Sequence, residues 1–393
     1  MLKRFRVSNF KSLLNVEFKP VGLNLLIGPN NSGKTNLCSA LRFLSRASYE
    51  SLEVAAKNAI GETWNIPNVY VSDSTMEFET DCSLRFAGER LDYNYTLKID
   101  VSRLAEIAGA RFQIVEESLS VNGGGFTNMP LLINERGKVK LFQEDLSEGG
   151  IPSRRYVEVE VPRDATMLSR LYSTTANVHA VWFKSYLDSW CYYSLNPQSM
   201  RMSTVVRGTE VLVPDGCNLS QVFYAIHNRN PRLEKKIIDA VKELESKLDF
   251  FTYASPDPES VFLFMEDQNR NSFGVQSISD GTLRFMAMTY LVLTAAESKY
   301  QRLTIIEEPE NGLYVGHLKP LIERIDPSGE NGQFIFTTHS PYFIDLFDGN
   351  VDGLHLMKPG RPSSVLVKPD PQKISAMLEK MPLGEMHFRE MLG

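Results

Sequence analysis

Residues 28–35 read Gly-Pro-Asn-Asn-Ser-Gly-Lys-Thr, which fits the pattern G-x-x-x-x-G-K-T. In this pattern, glycines let successive backbone N–H groups turn toward an anion, a lysine adds positive charge near the outer phosphates, and a threonine offers its hydroxyl to Mg²⁺. An apolar stretch of strand character, Leu23–Ile27, precedes the pattern, and a stretch of helical character, 36–44, follows it. The sequence therefore predicts a phosphate-binding loop between a buried strand and a helix.

This loop predicts a nucleotide site with ATP and Mg²⁺ as its cofactors. The residues expected to contact the nucleotide all belong to the loop and are Gly28, Asn30, Asn31, Ser32, Gly33, Lys34 and Thr35. Thr35 is also expected to be a ligand of Mg²⁺, because its hydroxyl follows the lysine directly.

A strand-like segment later in the chain, 303–306, ends in two adjacent carboxylates, Glu307 and Glu308. In phosphate-loop ATPases, the first such carboxylate usually helps to hold Mg²⁺ through water, and the second polarises the attacking water. We therefore expect Glu307 to face the metal and Glu308 to be the catalytic base. Glu307 stands where an aspartate is commoner, which lengthens the reach of the carboxylate by one methylene group.

The next apolar segment, 333–337, leads into Thr-His-Ser-Pro and places the imidazole of His339 at the end of a strand. There it can bind a γ-phosphate or the attacking water. A histidine taken alone is more often structural, but the other matching elements favour a catalytic role. We therefore expect His339 to be catalytic together with Glu308.

Ser279, Asp280 and Gly281 stand at the start of a helical stretch that continues to about residue 296. A small hydroxyl and a glycine at a helix N-terminus can bind an anion. Because the chain already has a phosphate loop, we expect this second site to bind the phosphate of a nucleotide held by another subunit. A helix cap at Ser279 explains the same residues without a ligand, and the two interpretations are compatible.

The composition limits the class of protein. The 393 residues leave room for two or three domains, and a formal charge of −6 argues against a protein whose whole surface binds nucleic acid. The four cysteines are scattered, so neither a disulfide framework nor a zinc site is expected. The basic N-terminus lacks the apolar region of a signal peptide, and no segment approaches ~18 uninterrupted apolar residues. We expect a cytoplasmic protein without a membrane partner.

Changes in periodicity divide the chain. Alternating apolar and polar residues between 76 and 119 predict antiparallel strands. Spacings of three and four between about 166 and 248 predict helices, among them 180–193 and 231–248. We predict four parts: an N-terminal ATPase lobe with the phosphate loop and an antiparallel β subdomain (1–165), a helical insertion (166–255), a C-terminal ATPase lobe (256–350) and a small cap (351–393).

The order of these motifs resembles the ABC-type ATPase superfamily, in its non-transporter branch with RecF, the OLD nucleases and the SMC proteins. Four segments carry the resemblance: the phosphate loop as Walker A, S-D-G-T-L-R from 279 as the signature, E-E-P-E-N-G-L from 307 as Walker B, and T-T-H-S-P from 337. Two further segments, V-S-N-F-K-S-L from 7 and Y-S-L-N-P from 193 with Arg201, make the chain most similar to stand-alone predicted ATPases of the RecF-like AAA group in bacterial defence loci.

The resemblance implies an α/β fold, in which an ABC-type P-loop ATPase core with a parallel sheet and flanking helices carries an antiparallel β subdomain and a mostly helical insertion. It also implies a homodimer or higher oligomer that sandwiches ATP. In that dimer, Ser279 and Gly281 close on the nucleotide in trans, Glu308 is the catalytic carboxylate, and His339 is the switch histidine.

The chain departs from the family pattern at two places. Asn311-Gly312-Leu313 matches the D-loop, but Tyr314-Val315 replaces the His-Pro that usually follows it. The glutamine of the family's Q-loop is not identifiable. Both positions bear on how ATP hydrolysis is coupled to closure of the dimer.

Basic and aromatic residues are mixed in the middle of the chain, beginning with Arg154 and Arg155 and continuing to about residue 207. Such mixing can follow a nucleic-acid backbone and stack on bases, which makes nucleic acid a candidate partner at Arg154 and Arg155. It fits helices with an aromatic core and a solvated basic face somewhat better.

The leading hypothesis is an ATP-dependent sensor or scaffold whose dimer opens and closes to control a separate effector chain, a nuclease or toxin, in bacterial antiviral defence. The segment after His339 is short for the nuclease domain of OLD proteins, so the effector is expected to be another protein. The alternatives are a RecF-like ATPase that binds DNA during repair and the nucleotide-binding subunit of a transporter.

Overall fold

The computed structural model describes residues 1–61, 66–103, 110–143, 155–172, 176–202, 204–205, 211–257, 260–297, 301–330 and 332–392. The strands within them are β1 (Leu2–Phe10), β2 (Leu13–Phe18), β3 (Leu23–Ile27), β4 (Thr75–Phe86), β5 (Glu89–Arg103), β6 (Ala110–Gly123), β7 (Phe126–Glu135), β8 (Lys138–Gln143), β9 (Arg155–Glu160), β10 (Cys191–Tyr193), β11 (Thr204–Val205), β12 (Leu248–Asp257), β13 (Ser260–Asp267), β14 (Ser272–Gly274), β15 (Leu303–Glu307), β16 (Gln333–Thr338), β17 (Leu354–Lys358) and β18 (Val365–Val367). The α-helices are α1 (Lys34–Ala47), α2 (Leu52–Ile60), α3 (Met167–Arg170), α4 (Val178–Asp188), α5 (Pro197–Met200), α6 (Leu219–Arg229), α7 (Pro231–Lys242), α8 (Asp280–Glu297), α9 (Lys319–Ile322), α10 (Pro341–Ile344), α11 (Pro371–Leu378) and α12 (Leu383–Phe388).

A six-stranded sheet in the order β10-β15-β16-β3-β17-β18 forms the centre of the fold. Its first five strands are parallel, and β18 runs antiparallel to β17. β3 and β16 are buried along their whole length because both faces of the sheet are covered, which explains their apolar sequences. The carboxyl ends of β3, β16 and β15 lie side by side and carry the phosphate loop, His339 and the two glutamates.

An eight-stranded antiparallel sheet in the order β2-β1-β4-β5-β6-β7-β8-β9 packs beside this centre. β4 pairs with β5 over twelve residues, and its side chains alternate between buried and partly exposed positions. The structure confirms the antiparallel strands that the period-two pattern predicts. A smaller antiparallel sheet in the order β11-β13-β12, with β14 also paired to β13, lies in the C-terminal half.

Two hydrophobic cores lie on the two faces of the central sheet. One core joins the eight-stranded sheet to α1, α2 and α4. The other joins the opposite face to α6, α7, α8 and the C-terminal helices. Along β3 the side chains alternate accordingly, since Leu26 belongs to the first core, whereas Leu25 and Ile27 belong to the second. Both cores therefore hold the strand that leads into the phosphate loop.

Two predicted helices end earlier than their apolar spacing suggests. The helix predicted at 180–193 ends at Asp188, because residues 191–193 instead pair with β15 as β10. The helix predicted at 231–248 ends at Lys242, and Leu248 begins β12. The stretch 166–255 thus contains strand segments as well as helices. None of the helices in the described part of the chain has the length and apolarity needed to cross a membrane.

Candidate nucleotide and hydrolysis site

The phosphate loop makes a close turn that requires glycine at two positions. A Cβ atom on Gly28 would lie 2.3 Å from the carbonyl oxygen of Met357, and one on Gly33 would lie 2.6 Å from the hydroxyl of Ser364. Gly33 also has a φ of 104°, in the left-handed region that glycine tolerates. The loop therefore presents its backbone to a cavity that its own residues help to line. α1 begins at Lys34, directly after Gly33.

The side chain of Lys34 bridges the loop. Its Nζ atom donates hydrogen bonds to the carbonyl oxygens of Gly28 at 2.7 Å and Pro29 at 3.1 Å. Burial lowers the pKa of Lys34, and the negative charges of Glu308 and Glu307 act in the opposite direction. Lys34 is therefore electrostatically linked to both carboxylates that follow β15.

Glu307, the last residue of β15, is held by one of its two carboxylate oxygens. The hydroxyl of Tyr192 donates a hydrogen bond of 2.7 Å to its Oε2 atom. Its Oε1 atom is buried and has no hydrogen-bond partner among the described residues. The donor set therefore fits Mg²⁺, because that ion accepts one carboxylate, a hydroxyl such as that of Thr35 and oxygens of phosphates and water. No group of three or more His, Cys, Asp or Glu side chains placed to hold a metal ion lies within the described residues.

Glu308 is held from two sides. Its Oε2 atom accepts a hydrogen bond of 2.8 Å from Nδ2 of Asn311, and its Oε1 atom lies 3.1 Å from Nδ1 of His339. Burial by itself raises the pKa of Glu308, but the hydrogen bonds from Asn311 and His339, together with the charges of His339 and Lys34, outweigh this effect and lower it. The backbone of Glu308 has a φ of 43°, which is unusual for a residue other than glycine. The carboxylate is thus ionised, fixed in position and able to accept a proton.

Lys34, Glu307, Glu308 and Asn311 line one cavity of about 380 Å³. Tyr192 and His339 do not line it, and they contact Glu307 and Glu308 from behind the lining. Its lining residues come from the phosphate loop and the start of α1, the segment after β10, α8, the end of β15, the D-loop and β16, and they are Asn30, Asn31, Ser32, Gly33, Lys34, Thr35, Asn36, Ser194, Leu195, Arg284, Glu307, Glu308, Asn311 and Thr337. No glutamine lines the described part of this cavity. Ser194 and Leu195 stand where the chain leaves β10, beside the strand that carries Glu307.

Ser279 and its neighbours lie outside the lining of that cavity. The hydroxyl of Ser279 accepts a hydrogen bond of 3.1 Å from the backbone N–H of Thr282, so it caps the first turn of α8. A Cβ atom on Gly281 would lie 2.7 Å from the carbonyl oxygen of Gly312. The signature segment therefore packs closely against the D-loop of the same chain.

A second cavity, of about 560 Å³, adjoins the phosphate loop and shares Asn31 with the first. Its wall includes Tyr70, whose side chain is 61% exposed, and the backbone near Pro362. Ser12 joins this wall to the loop, since its Oγ atom accepts a hydrogen bond of 2.8 Å from Nδ2 of Asn36. A ligand that extends from the phosphate loop past Asn31 would enter this second cavity.

Residues 23–345 match the family described as "AAA domain, putative AbiEii toxin, Type IV TA system". The matched segment begins at β3 and includes the phosphate loop, both glutamates and His339. The chain belongs to this AAA family. The comparison with curated proteins gave no match.

This AAA ATPase resembles solved structures of SMC heads. A superposition on an SMC head bound to the C-terminal winged-helix domain of ScpA has a TM-score of 0.53 at 13% sequence identity and covers 93% of this chain and 96% of that one. For an SMC head from Pyrococcus furiosus with an extended coiled coil, bound to the C-terminal domain of ScpA, the TM-score is 0.50 at 11% identity, with 96% and 98% covered. The fold is therefore that of an ABC-type ATPase head, as the order of motifs predicts.

Three residues that contact the site residues or the signature segment of this AAA ATPase have no role in nucleotide binding or hydrolysis in the sequence-based prediction. Tyr192 binds Glu307, as described above. Arg284 donates from Nε to the carbonyl oxygen of Leu195 at 3.3 Å and from a terminal nitrogen to the carbonyl oxygen of Asn311. Arg201 is 2.6 Å from both the carboxylate of Asp280 and the carbonyl oxygen of Ile278. Arg284 lies within the signature motif, and Arg201 contributes with Y-S-L-N-P to the family resemblance, so the sequence offered a signal for these two residues but not for Tyr192.

The structure favours the packing interpretation for most of the mixed basic and aromatic residues. Tyr186, Trp190 and Tyr193 are buried, and Nζ of Lys184 donates to the carbonyl oxygens of Ser169 and Leu171. Arg154 lies outside the described residues, and only the backbone of Arg155, which begins β9, is described. The prediction of a nucleic-acid contact at these two arginines stays a prediction.

Proposed function

We propose that the chain is a Mg²⁺-dependent ATPase that works as a dimer, with each ATP bound between the phosphate loop of one copy and the Ser279–Gly281 segment of the other. The observation that carries this proposal is the placement of Glu308. Its ionised carboxylate faces the same cavity as Lys34 and Thr35 and is fixed by Asn311 and His339. This is the arrangement that a general base for water attack on a γ-phosphate requires.

The roles of the site residues follow from their positions. The backbone N–H groups of the loop and Lys34 bind the phosphates, while Thr35 and Glu307 face Mg²⁺, which stabilises the negative charge that develops during phosphoryl transfer. Glu308 takes a proton from the attacking water, and His339 orients Glu308 or the water. The nucleobase and the ribose of ATP enter the second cavity, beside Tyr70.

The proposal of a dimer is supported by the position of Ser279 and Gly281 relative to the cavity. Ser279 and Gly281 resemble a phosphate-binding signature but do not line the cavity of their own chain in the part that the structure describes. Because Gly281 packs on the D-loop, and Asn311 of the D-loop binds Glu308, the segment that closes on a second nucleotide is connected to the catalytic base of its own site. Hydrolysis at one site can therefore loosen the contact made at the other.

We further propose that closure and opening of this dimer control a partner protein in antiviral defence. The family description refers to a toxin and to a toxin–antitoxin system, and both SMC heads named above are bound to domains of a second protein, ScpA. The division into two ATPase lobes, an insertion at 166–255 and a cap at 351–393 belongs to this proposal, with the insertion and the cap as the parts free to contact a partner.

The first test is ATP hydrolysis by the purified chain with Mg²⁺. Glu308→Gln should lower turnover at least 100-fold while leaving ATP bound, because the amide cannot accept the proton. Undiminished turnover in that variant would exclude Glu308 as the base. For the partner, the protein encoded next to this chain should co-purify more strongly with Glu308→Gln, which holds ATP, than with Lys34→Ala, which should not bind it. Equal recovery with the two variants would contradict control by nucleotide.

A further inference from the structure

We infer that Tyr192 is a positioning residue that fixes the rotamer of Glu307. With its rotamer fixed, the longer glutamate can face Mg²⁺ in place of the aspartate that is more usual at this position. The inference rests on the proposed function, because it takes Glu307 as the carboxylate that faces Mg²⁺. It adds a residue from outside the recognised motifs to the metal site.

The strand pairing brings the two residues together. β10 is the parallel neighbour of β15, with Tyr192 opposite Ile305 and Tyr193 opposite Ile306. From this position, the hydroxyl of Tyr192 reaches Oε2 of Glu307 at 2.7 Å. A phenol hydroxyl bonded to a carboxylate forms a charge-assisted hydrogen bond, which is stronger than one between neutral groups.

This hydrogen bond distinguishes the two oxygens of Glu307. Oε2 is occupied by Tyr192, whereas Oε1 is buried without a partner among the described residues. A buried carboxylate oxygen is rarely left without a partner in a folded protein. The free oxygen is therefore the one available to a hydrated cation beside Thr35, and Tyr192 determines which oxygen that is.

The ring of Tyr192 is itself held in place. The guanidinium carbon of Arg42 lies 4.7 Å from the ring centroid, in a cation–π contact. Arg42 belongs to α1, the helix that begins at Lys34. The helix that leaves the phosphate loop and the strand that carries Glu307 are thus connected through one tyrosine.

The extra methylene group of Glu307 explains why such support is needed. Glutamate has one more rotatable bond than aspartate, so an unsupported Glu307 would distribute its carboxylate over more positions. An aspartate at the same place would end ~1.5 Å short, too far from Tyr192 for a hydrogen bond. Tyr192 should therefore matter for glutamate at position 307 and not for aspartate.

The test measures metal binding directly. Mn²⁺ replaces Mg²⁺, and free Mn²⁺ is followed by electron paramagnetic resonance during titration of the chain saturated with a non-hydrolysable ATP analogue. Tyr192→Phe keeps the ring and its contact with Arg42 but removes the hydroxyl, and we expect the Kd for Mn²⁺ to rise about tenfold. The matched control is Tyr49→Phe, since Tyr49 lies in the same cleft as Arg42 and Tyr192 and should leave the Kd unchanged.

A double-mutant cycle with Glu307→Asp separates positioning from a general loss of structure. In the Glu307→Asp background, we expect Tyr192→Phe to change the Kd for Mn²⁺ by less than about twofold, because no hydrogen bond is left to remove. An unchanged Kd in Tyr192→Phe alone, or equal effects of that substitution in both backgrounds, would overturn the inference. Failure of the unsubstituted chain to bind Mn²⁺ with the analogue would instead overturn the proposed function.

Discussion

Nδ1 of His339 lies 3.1 Å from Oε1 of Glu308, so the residues that follow two neighbouring parallel strands share one hydrogen bond. His339 is about half exposed, whereas Glu308 is more enclosed. The imidazole lies outside the lining of the cavity and contacts the carboxylate of Glu308, which does line it. This contact, with that of Asn311 and the charge of Lys34, favours the ionised form of the proposed base.

The first prediction concerns the pH dependence of turnover. Burial by itself raises the pKa of Glu308, and the hydrogen bonds from Asn311 and His339 lower it below its usual range. The base should therefore stay ionised as the pH falls, and turnover should persist into acidic solution. Asn311→Ala removes one donor, so the pKa of Glu308 should rise and the acidic limb of the pH–turnover profile should move to higher pH. If the acidic limb of the profile lies at the same pH in Asn311→Ala as in the unsubstituted chain, Glu308 is excluded as the titrating group.

The second prediction concerns Arg201, which binds Asp280 and the carbonyl oxygen of Ile278. Arg201→Ala should leave the affinity of the phosphate loop for ATP within about twofold, because Arg201 does not line the cavity. The ATP-dependent dimer should weaken by about tenfold or more, since charged hydrogen bonds that hold the signature segment are lost. Analytical ultracentrifugation measures the dimer constant, and the exposed Arg232→Ala is the control. An unchanged dissociation constant of the dimer in Arg201→Ala would show that the signature segment does not depend on its hydrogen bonds with Arg201.

The third prediction tests whether the second cavity binds the nucleobase and the ribose of ATP. Tyr70→Ala should weaken ATP binding about three- to tenfold, the range expected for loss of one aromatic stacking contact. Binding of inorganic tripolyphosphate, which has no base, should be unaffected. Tyr172→Ala removes an exposed tyrosine elsewhere and serves as the control. Equal losses for ATP and tripolyphosphate would place the effect of Tyr70 on the phosphate loop instead.

The fourth prediction concerns stability. Glu117 is fully buried and accepts hydrogen bonds from the backbone N–H groups of Met167 at 2.7 Å and Leu168 at 3.1 Å, and from Asn134 and Tyr95. It fastens the N-terminus of α3 to the eight-stranded sheet.

Glu117→Ala leaves those donors buried without acceptors, and it should lower the free energy of unfolding by about 3 kcal/mol. The neighbouring Glu116→Ala removes a partly exposed ion pair with Lys98 and should cost under about 1 kcal/mol. Urea titration measures both values. Similar losses in the two variants would show that the buried contacts of Glu117 contribute little.

The sequence predicts the parts of the site that depend on local pattern. The phosphate loop, Glu308 and His339 each follow an apolar strand directly, Glu307 ends one, and the parallel sheet places these strand ends side by side. The antiparallel strands are also predictable, because the alternation of apolar and polar residues along each strand indicates which face of the sheet is buried.

Contacts between distant parts of the chain could not be predicted in the same way. Tyr192 and Glu307 are 115 residues apart, and Tyr192 stands in a segment whose apolar spacing favours a helix. Only pairing with β15 makes this segment a strand and turns the tyrosine toward the site. The sequence associates Arg201 with the family resemblance and with a basic and aromatic region, but nothing in its own surroundings reveals that it binds Asp280.

The central claim is that the phosphate loop is half of a site that Ser279 of a second copy completes. Light scattering combined with nucleotide analysis of Glu308→Gln in Mg²⁺-ATP tests it most directly. We predict a dimer with two trapped ATP molecules, and we predict that Glu308→Gln with Ser279→Arg binds one ATP per chain but stays monomeric. A Glu308→Gln chain that holds ATP as a monomer, or a double variant that dimerises equally well, would contradict the claim.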